Sequence, residues 1–198
     1  MWVVPRLPRI WAEPDEPPPD YASLARPRDA VLLALVVLAL SACLLRVPAG
    51  LFPLWFGHLG AGAALVLVDL RTTWLPRRLH WIAAAQVAVG AVVTELLVPG
   101  TLPVVAVGAA AGFAALWVVW RVTGNFGFGD VRLGLLVGAV GASWGWSGWL
   151  WSLLAGTVIG AGWAVVHALR GRGAEPFPYG PALWLGPLAV AAVHALTG

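Results

Sequence analysis

The apolar positions of this chain fall into seven long runs that are separated by short polar segments. The runs cover about residues 30–45, 51–70, 79–98, 102–119, 131–145, 149–169 and 182–196. Most of them approach the roughly 20 residues that a helix needs to cross a bilayer. They do not alternate polar and apolar residues, as the strands of a membrane barrel do. The pattern therefore predicts an all-α fold, a polytopic transmembrane helical bundle of about seven spans.

The composition agrees with this class of protein. Of the 198 residues, 60% are hydrophobic and 11% are charged, whereas a soluble domain has roughly 25% charged residues. The basic residues are spread over the loops, and a nucleic-acid site would gather them into a patch, so no nucleic-acid partner is expected. Cys43 is the single cysteine, which excludes a disulfide within the chain and a cysteine-based zinc site.

The arginines indicate how the spans are oriented. If the N-terminus is cytoplasmic, eleven of the twelve arginines fall on the cytoplasmic side and only Arg46 falls outside. Cytoplasmic loops of membrane proteins carry the excess of basic residues. The sequence therefore predicts a cytoplasmic N-terminus and an outer C-terminus. It also predicts that Asp69, Asp130 and the loop at 171–181 lie on the cytoplasmic side.

Residues 1–29 differ from the rest of the chain. They are rich in Pro, Asp, Glu and Arg, with an acidic stretch over residues 13–20, and a segment of this kind cannot bury a core. A secretory signal would place an apolar region directly after a short basic one. We therefore expect a disordered cytoplasmic tail over residues 1–29 and a membrane domain over residues 30–198.

A polar, glycine-rich break over residues 124–133 separates two of the apolar runs and contains Asp130. Glycines follow this residue at +4, +8, +11 and +15, and on a helix of about 3.6 residues per turn they share its face. A row of glycines lets a neighbouring helix approach closely. We therefore expect Asp130 to face the bundle, where Asp69 could meet it from the second run.

Two carboxyl groups at one edge of a bundle predict a specific chemistry. An ionisable residue within a membrane span is costly and is a functional hypothesis in itself. Carboxyl groups a few Å apart do not both ionise easily, so one keeps its proton near neutral pH. The ionised group can deprotonate a water while the protonated group polarises a peptide carbonyl. This is the chemistry of an aspartic protease, and it requires no metal or cofactor.

Other interpretations of these positions exist. Each acid is followed two residues later by an arginine, so simple neutralisation by Arg71 and Arg132 is an alternative, although residues two apart on a helix point about 200° apart. Gly127 and Gly129 would suit an extended substrate, since glycine permits backbone conformations that other residues avoid. The four histidines show no i,i+4 pair and are expected at the membrane interfaces rather than in a metal site.

Three stretches resemble the type IV prepilin peptidases, which are membrane aspartic proteases with a Gly-x-Gly-Asp motif. Residues 69–79 resemble the segment of the family's first catalytic Asp and the Ile/Leu-Pro pair after it. Residues 127–133, Gly-Phe-Gly-Asp-Val-Arg-Leu, are similar to the family's Gly-x-Gly-Asp-x-Lys-Leu. Residues 176–183 are similar to the Pro-Phe-Gly-Pro loop before the last span.

The resemblance extends from about residue 51 to the C-terminus and implies roles for single residues. It marks Asp69 and Asp130 as the catalytic dyad, with no metal and no cofactor. Further residues would shape the motifs or bind substrate: Pro76, Gly127, Gly129, Arg132, Pro178, Gly180 and Pro181. Arg132 stands where the family often has Lys.

The resemblance also implies a substrate and a location. The substrate would be a prepilin or pseudopilin whose short basic leader is cut on the cytoplasmic side of the cell membrane, while its apolar helix docks among the spans in the lipid. Many family members carry an N-terminal methylase region with paired Cys-x-x-Cys motifs, which a chain with one cysteine does not have. The resemblance thus predicts a short, peptidase-only form without N-methyltransferase activity, with residues 30–198 as the membrane peptidase domain.

Three other functions stay open on the sequence. Proteases of the presenilin or signal-peptide-peptidase type share Gly-x-Gly-Asp and a Pro-Ala-Leu motif like that at residues 181–183, but they place Tyr before the first Asp, where this chain has Val68. A proton-coupled transporter would use the acids as proton sites, yet the internal repeats that transporters often show are not seen. A non-catalytic assembly factor of a pilus or secretion system would tolerate the loss of either Asp.

Overall fold

The structure, a computed structural model, describes residue 24 and residues 26–124, 127–173, 175 and 177–197. Over these residues the chain forms eight α-helices, which confirms the predicted all-α class. They are α1 (Pro27–Ser41), α2 (Phe52–Leu59), α3 (Ala61–Thr72), α4 (Arg77–Leu97), α5 (Thr101–Thr123), α6 (Phe128–Ala142), α7 (Gly145–His167) and α8 (Gly180–Thr197). Short 3-10 turns, Ala42–Arg46 and Ala49–Leu51, lead from α1 to α2, and a π-helical turn, Ala168–Arg172, follows α7. Most of the predicted tail lies outside the described residues.

Five stretches of the described chain are long and apolar enough to cross a membrane, as expected for a multi-pass membrane protein. They are Pro27–Leu45, Ala49–Thr72, Arg77–Leu97, Thr101–Thr123 and Gly145–Arg172. The apolar part of α8, Gly180–His194, is shorter. α6 has 15 residues, which is about 22 Å at roughly 1.5 Å per residue, against a hydrocarbon core of about 30 Å. The number of seven spans therefore stays a prediction.

The second predicted span consists of two helices. α2 ends at Leu59 and α3 begins at Ala61, with Gly60 between them at φ −68 and ψ −99. The break frees the backbone N–H of Ala61, which donates to Oε1 of Gln86 on α4 at 2.8 Å. A broken helix is tolerated in a membrane when the freed backbone groups find such partners. The segment that carries Asp69 is therefore a separate helix, α3, whose first residue is bonded to α4.

The first helix starts three residues before its predicted beginning. α1 begins at Pro27, where proline is favoured because its missing N–H would have no helical partner anyway. Asp29 lies in this first turn and is 5% exposed. Its Oδ1 accepts a hydrogen bond from Nη2 of Arg71 at 3.0 Å. A residue predicted to lie in the tail is thus part of the bundle.

α6 lies in the centre of the bundle. From Val131 to Ala142 all of its residues are buried except Arg132 and Leu135, which are half-buried. It packs against α5, α7 and α8 and also contacts α2 and α4. A helix that is apolar on all sides is normally enclosed by protein or by lipid, and here the neighbouring helices enclose it. The other elements are arranged around this helix.

Glycines bring α5 and α6 into backbone contact. A Cβ on Gly112 would lie 3.0 Å from Cα of Gly138, and a Cβ on Gly138 would lie 3.0 Å from Cα of Gly112, with backbone oxygens closer still. A Cβ on Gly134 would lie 2.8 Å from the carbonyl oxygen of Gly112. Small residues permit such close helix approach in membrane proteins. The predicted glycine row is confirmed for Gly134 and Gly138, which face α5.

The helices run so that the three motif segments meet at one end of the bundle, which we call the acidic end. There the last turn of α3 contacts the start of α8 through Asp69 and Gly180. The last turn of α5 contacts the start of α6, where the rings of Trp120 and Phe128 have centroids 5.2 Å apart. At the opposite end, the ring of the residue before α7 stacks on a histidine near the end of α8.

Two histidines predicted at the membrane interfaces are buried instead. His58 is fully buried, with Nε2 at 3.1 Å from the carbonyl oxygen of Trp184, and the indole N–H of Trp184 donates to the carbonyl of His58 at 3.1 Å. Their rings stack with centroids 5.5 Å apart. His80, in the first turn of α4, is 1% exposed. The interface prediction is wrong for both residues, and for His58 the reason is this reciprocal bonding inside the bundle.

Candidate active site

Asp69 lies in the last turn of α3 and is 3% exposed. Its Oδ2 accepts a hydrogen bond from the backbone N–H of Gly180 at 2.9 Å. Gly180 is the first residue of α8, and the N–H groups of a first helical turn have no partner within the helix. The positive end of the helix dipole favours a carboxylate at this place. The start of α8 therefore fixes the direction of the Asp69 side chain.

The chain turns sharply after Asp69. Thr73 has a left-handed backbone, φ 57, and its N–H donates to the carbonyl of Asp69 at 2.7 Å. The hydroxyl of Thr72 donates to the carbonyl of Val68 at 2.8 Å and accepts from the N–H of Trp74 at 3.2 Å. A positive φ is uncommon for a residue other than glycine. These bonds end α3 directly behind the carboxylate and send the chain toward α4.

The loop after α3 packs on the turn that carries the second acid. Pro76 is the N-cap of α4, and its carbonyl accepts the N–H of His80 at 3.0 Å. Leu75, just before it, lies against Gly129, because a Cβ at that glycine would come within 2.7 Å of Cβ of Leu75. Any larger residue at position 129 would push the loop away. The loop at 72–76 is thus in contact with both motif segments.

Asp130 lies in the first turn of α6 and is half-buried. Gly127 is the N-cap of this helix, and its carbonyl accepts the N–H of Asp130 at 3.0 Å. Neither Gly127 nor Gly129 has a positive φ, and Gly127 is at φ −68 and ψ 139. The expectation that these glycines adopt conformations barred to other residues is wrong, because close packing, at Gly129 above all, is what requires the missing side chain.

The two predicted acids lie at the same end of the bundle. Gly180, which binds Asp69, also lies beside Leu133 of α6, since a Cβ at this glycine would be 3.5 Å from Cδ2 of Leu133. Asp69 is almost completely buried, whereas Asp130 is half-buried at the start of α6. The structure thus places both acids at the acidic end, with one of them more accessible than the other, and their role as a catalytic pair stays a prediction.

The arginines that follow the two acids have other partners. Arg71 binds Asp29, which is the one ion pair within the described chain. Nε of Arg132 donates to the carbonyl of Phe128 at 3.4 Å, and its guanidinium carbon is 5.9 Å from the centroid of the same ring. The alternative in which each Asp is neutralised by the arginine two residues later is therefore wrong, because helical geometry directs those side chains elsewhere.

The third motif segment runs from Phe177 into α8. Pro178 is half-buried, and Pro181, in the first turn of α8, is buried. The ring of Tyr179 lies over Gly160 of α7, where a Cβ would come within 2.9 Å of Cδ2 of the ring. Burial, with the nearby charge of Asp130, raises the pKa of Tyr179 above its usual range. This tyrosine directly precedes Gly180, whose N–H binds Asp69.

A cavity of about 210 Å³ adjoins this segment, between α5 and α7. It is lined mostly by apolar or small residues, among them Leu116, Gly160 and Ala161, and Tyr179 forms one wall. Sequence reasoning did not single out the tyrosine, and no local signal marks it.

Asp29 is the other site-proximal residue that the sequence interpretation missed. Proline at the first helical position followed by an acid in the first turn is a recognised sign of a helix start, and Pro27-Arg28-Asp29 has that form. This sign could have moved Asp29 from the tail to the bundle. Its partner could not have been found in this way, because Arg71 is 42 residues further along the chain.

The comparisons with known proteins agree on one family. A sequence model of the type IV leader peptidase family matches residues 56–165. Two curated relatives, each named prepilin leader peptidase/N-methyltransferase and from Burkholderia pseudomallei strains 1026b and K96243, are 32% identical over 165 residues. The match covers 79% of this chain and 52% of each relative, so the chain spans about half the length of the curated relatives it matches. No solved structure matches the chain.

Proposed function

The chain belongs to the type IV leader peptidase family, and from this membership we propose that it is a membrane aspartic endopeptidase. It removes the short basic leader from prepilin or pseudopilin proteins. The observation that supports the proposal is that two separate motif segments, one with Asp69 and one with Asp130, pack together at one end of the bundle through Leu75 and Gly129. A protein that only bound pilins would need no such pair of acids.

The proposed mechanism uses one proton shared between the two carboxyl groups. Because like charges at close range do not both ionise easily, one group is a base and the other an acid in the same state. The base takes a proton from water, whose oxygen attacks the scissile carbonyl carbon, while the acid donates a hydrogen bond and then the proton to the carbonyl oxygen. Collapse of the tetrahedral intermediate breaks the C–N bond as the base passes its proton to the leaving amine, while the other carboxylate takes a proton back from one hydroxyl of the intermediate, which leaves a carboxylic acid and restores the shared proton. General acid–base steps of this kind each contribute about 10²- to 10⁴-fold.

The remaining motif residues support this pair in the proposal. Gly180 supplies the N–H that orients Asp69, and Gly129 leaves room for Leu75 beside Asp130. Gly127 and Arg132 lie before and after Asp130 in the sequence. Pro76 and Pro178 stiffen the two loops at the acidic end and Pro181 the first turn of α8, since proline fixes φ near about −65°.

The proposed setting is the cell membrane, with the acidic end facing the cytoplasm. The distribution of the arginines supports this orientation, and the alternating helix directions fit seven spans with the N-terminus inside. The peptidase domain would begin with α1 at Pro27, three residues before the predicted boundary, and the residues before it would form a cytoplasmic tail. The basic leader of the substrate would then lie in the cytoplasm and its apolar helix in the lipid beside the bundle. We propose the peptidase reaction for this chain.

Co-expression with a prepilin tests this function. Leader removal is followed as a shift on a gel for the wild type, for Asp69→Asn and for Asp130→Asn, with Asp15→Asn as the matched acid-to-amide control. We expect processing by the wild type and by the control and none by the two dyad variants. Processing that persists in either dyad variant would refute the mechanism. Cleavage confined to transmembrane remnants would instead favour the presenilin-type function, and proton-coupled transport without cleavage would favour a carrier.

A further inference from the structure

α1 is the least enclosed of the five candidate spans, yet one of its side chains is buried. Asp29, in its first turn, is 5% exposed and faces the last turn of α3. A buried carboxylate is stable only with a charged or hydrogen-bonding partner, and Arg71 provides it at 3.0 Å. The position of this otherwise peripheral helix is therefore tied to α3 by a polar contact at the acidic end.

Arg71 lies in the last turn of α3, close to Asp69 in the sequence. It follows Asp69 by two residues and comes just before the turn in which Thr73 closes on the carbonyl of Asp69. Residues two apart on a helix point about 200° apart, so its guanidinium is directed to α1 and away from the Asp69 carboxylate. Arg71 can therefore hold the backbone of this turn without neutralising the acid within it.

We infer that Asp29 and Arg71 form a brace between α1 and α3 that positions Asp69 for peptide hydrolysis. The inference rests on the proposed function. Both are positioning residues, since neither touches the reacting atoms. Gly180 holds the Asp69 side chain from α8, and the brace holds its backbone from α1. Asp29 lies outside residues 56–165 that match the family, so a segment before the matched region contributes to the site.

The expected effect is on the chemical step. A displacement of about 1 Å in a catalytic group can cost roughly 10²-fold in rate, while the binding of an apolar substrate helix elsewhere on the bundle is unaffected. Loss of Arg71 leaves the buried carboxylate of Asp29 without a charged partner, and loss of Asp29 releases the half-exposed Arg71 from α1. Restoring a pair restores the contact. The brace thus predicts a fall in kcat at nearly constant KM, with rescue by a second substitution.

The test uses the purified full chain and a synthetic peptide with a basic leader followed by an apolar segment. The variants are Asp29→Asn, Arg71→Gln and the charge reversal Asp29→Arg with Arg71→Asp, and Asp29→Glu and Arg71→Lys serve if the reversal does not fold. The matched control is Arg121→Gln, an exposed arginine in the last turn of α5. We expect the two single variants to lose about tenfold or more in kcat, the reversal or the conservative variants to recover it, and the control to match the wild type.

Hydrogen exchange of peptides spanning residues 69–76 provides a readout that does not depend on activity. It should be faster in Asp29→Asn and Arg71→Gln than in the wild type and slower again in the rescued variants. Unchanged kcat in the single variants, or a loss of activity that only follows the amount of folded protein, would overturn the inference. A wild-type protein that cleaves no peptide, while exchange still responds, would reject the proposed function and reduce the brace to a structural contact.

Discussion

Gly180 donates its backbone N–H to the carboxylate of Asp69 at 2.9 Å, across 111 residues of sequence. The contact joins the third motif segment to the first and uses a backbone group rather than a side chain. It is buried, so water does not compete for the carboxylate oxygen. The loop before α8 is therefore part of the site, although it contributes no acid to it.

Replacement of Gly180 by alanine should impair the enzyme without unfolding it. The new Cβ would lie 2.7 Å from Oδ2 and 3.3 Å from Cγ of Asp69, so the carboxylate must move. We expect kcat/KM for leader cleavage to fall about 10- to 100-fold. Gly173→Ala is the control, since its Cβ would meet nothing closer than 3.5 Å. Equal activities of the two variants would contradict a directing role for Gly180.

Gly129→Ala should reduce activity by displacing the loop after Asp69. Its Cβ would come within 2.7 Å of Cβ of Leu75, and the displaced loop would carry the end of α3 with it. Leu75→Gly should restore part of the activity in the double variant, because it removes Cβ of Leu75 together with the Cγ and Cδ1 atoms that the new methyl group meets. Gly162→Ala, with nothing within 4 Å of the added Cβ, should be neutral in the same cleavage assay. A double variant no better than the single one would argue against this contact.

A large residue in the glycine contact should destabilise the fold. Gly138→Leu would force α5 away from α6, since even a Cβ there meets Cα of Gly112 at 3.0 Å. Overpacking of this kind costs about 1–3 kcal/mol or more. The midpoint of thermal denaturation in detergent should fall, and Gly162→Leu should leave it nearly unchanged. Equal midpoints for the two variants would exclude a close contact between the helices.

The pH profile of kcat/KM should be bell-shaped. The acid limb reflects protonation of both carboxyl groups, the alkaline limb ionisation of both, and the two limbs belong to the pair rather than to either residue. Tyr179 does not produce the alkaline limb: burial and the charge of Asp130 raise its pKa, so its hydroxyl stays neutral to higher pH than usual. Tyr179→Phe should therefore keep the alkaline limb, and its disappearance in that variant would assign the limb to the tyrosine.

Labelling of single cysteines can test the orientation of the bundle. In a Cys43→Ser background, Thr73→Cys marks the acidic end and Ser147→Cys the opposite end, and both positions are exposed. We expect a membrane-impermeant maleimide to label position 147 in intact cells and position 73 only after permeabilisation, because the arginine distribution places the acidic end inside. The opposite labelling pattern would invert the proposed topology.

Much of the site could be predicted because its signals are local in sequence. The apolar runs predict helices directly, and the glycines near Asp130 share a face through the helical repeat. Asp69 ends one run and Asp130 begins another, and the arginine distribution puts both positions on the same side of the membrane. The break at Gly60, the burial of His58 and the pairing of Asp29 depend on residues 25, 126 and 42 positions away along the chain. No periodicity reports such contacts. The prediction that Gly129 is needed for its backbone conformation was wrong for the same reason, because the side chain that excludes a larger residue there belongs to Leu75.

α6 is surrounded by protein along nearly its whole length. A helix in lipid adjusts its tilt to the thickness of the bilayer, but the 15 residues of α6 have α5, α7 and α8 as their main neighbours. A thicker or thinner membrane therefore acts on the lipid-facing helices and reaches Asp130 only through packing contacts such as those between the glycines of α5 and α6. The alignment of the two acids is thereby insulated from the composition of the surrounding lipid.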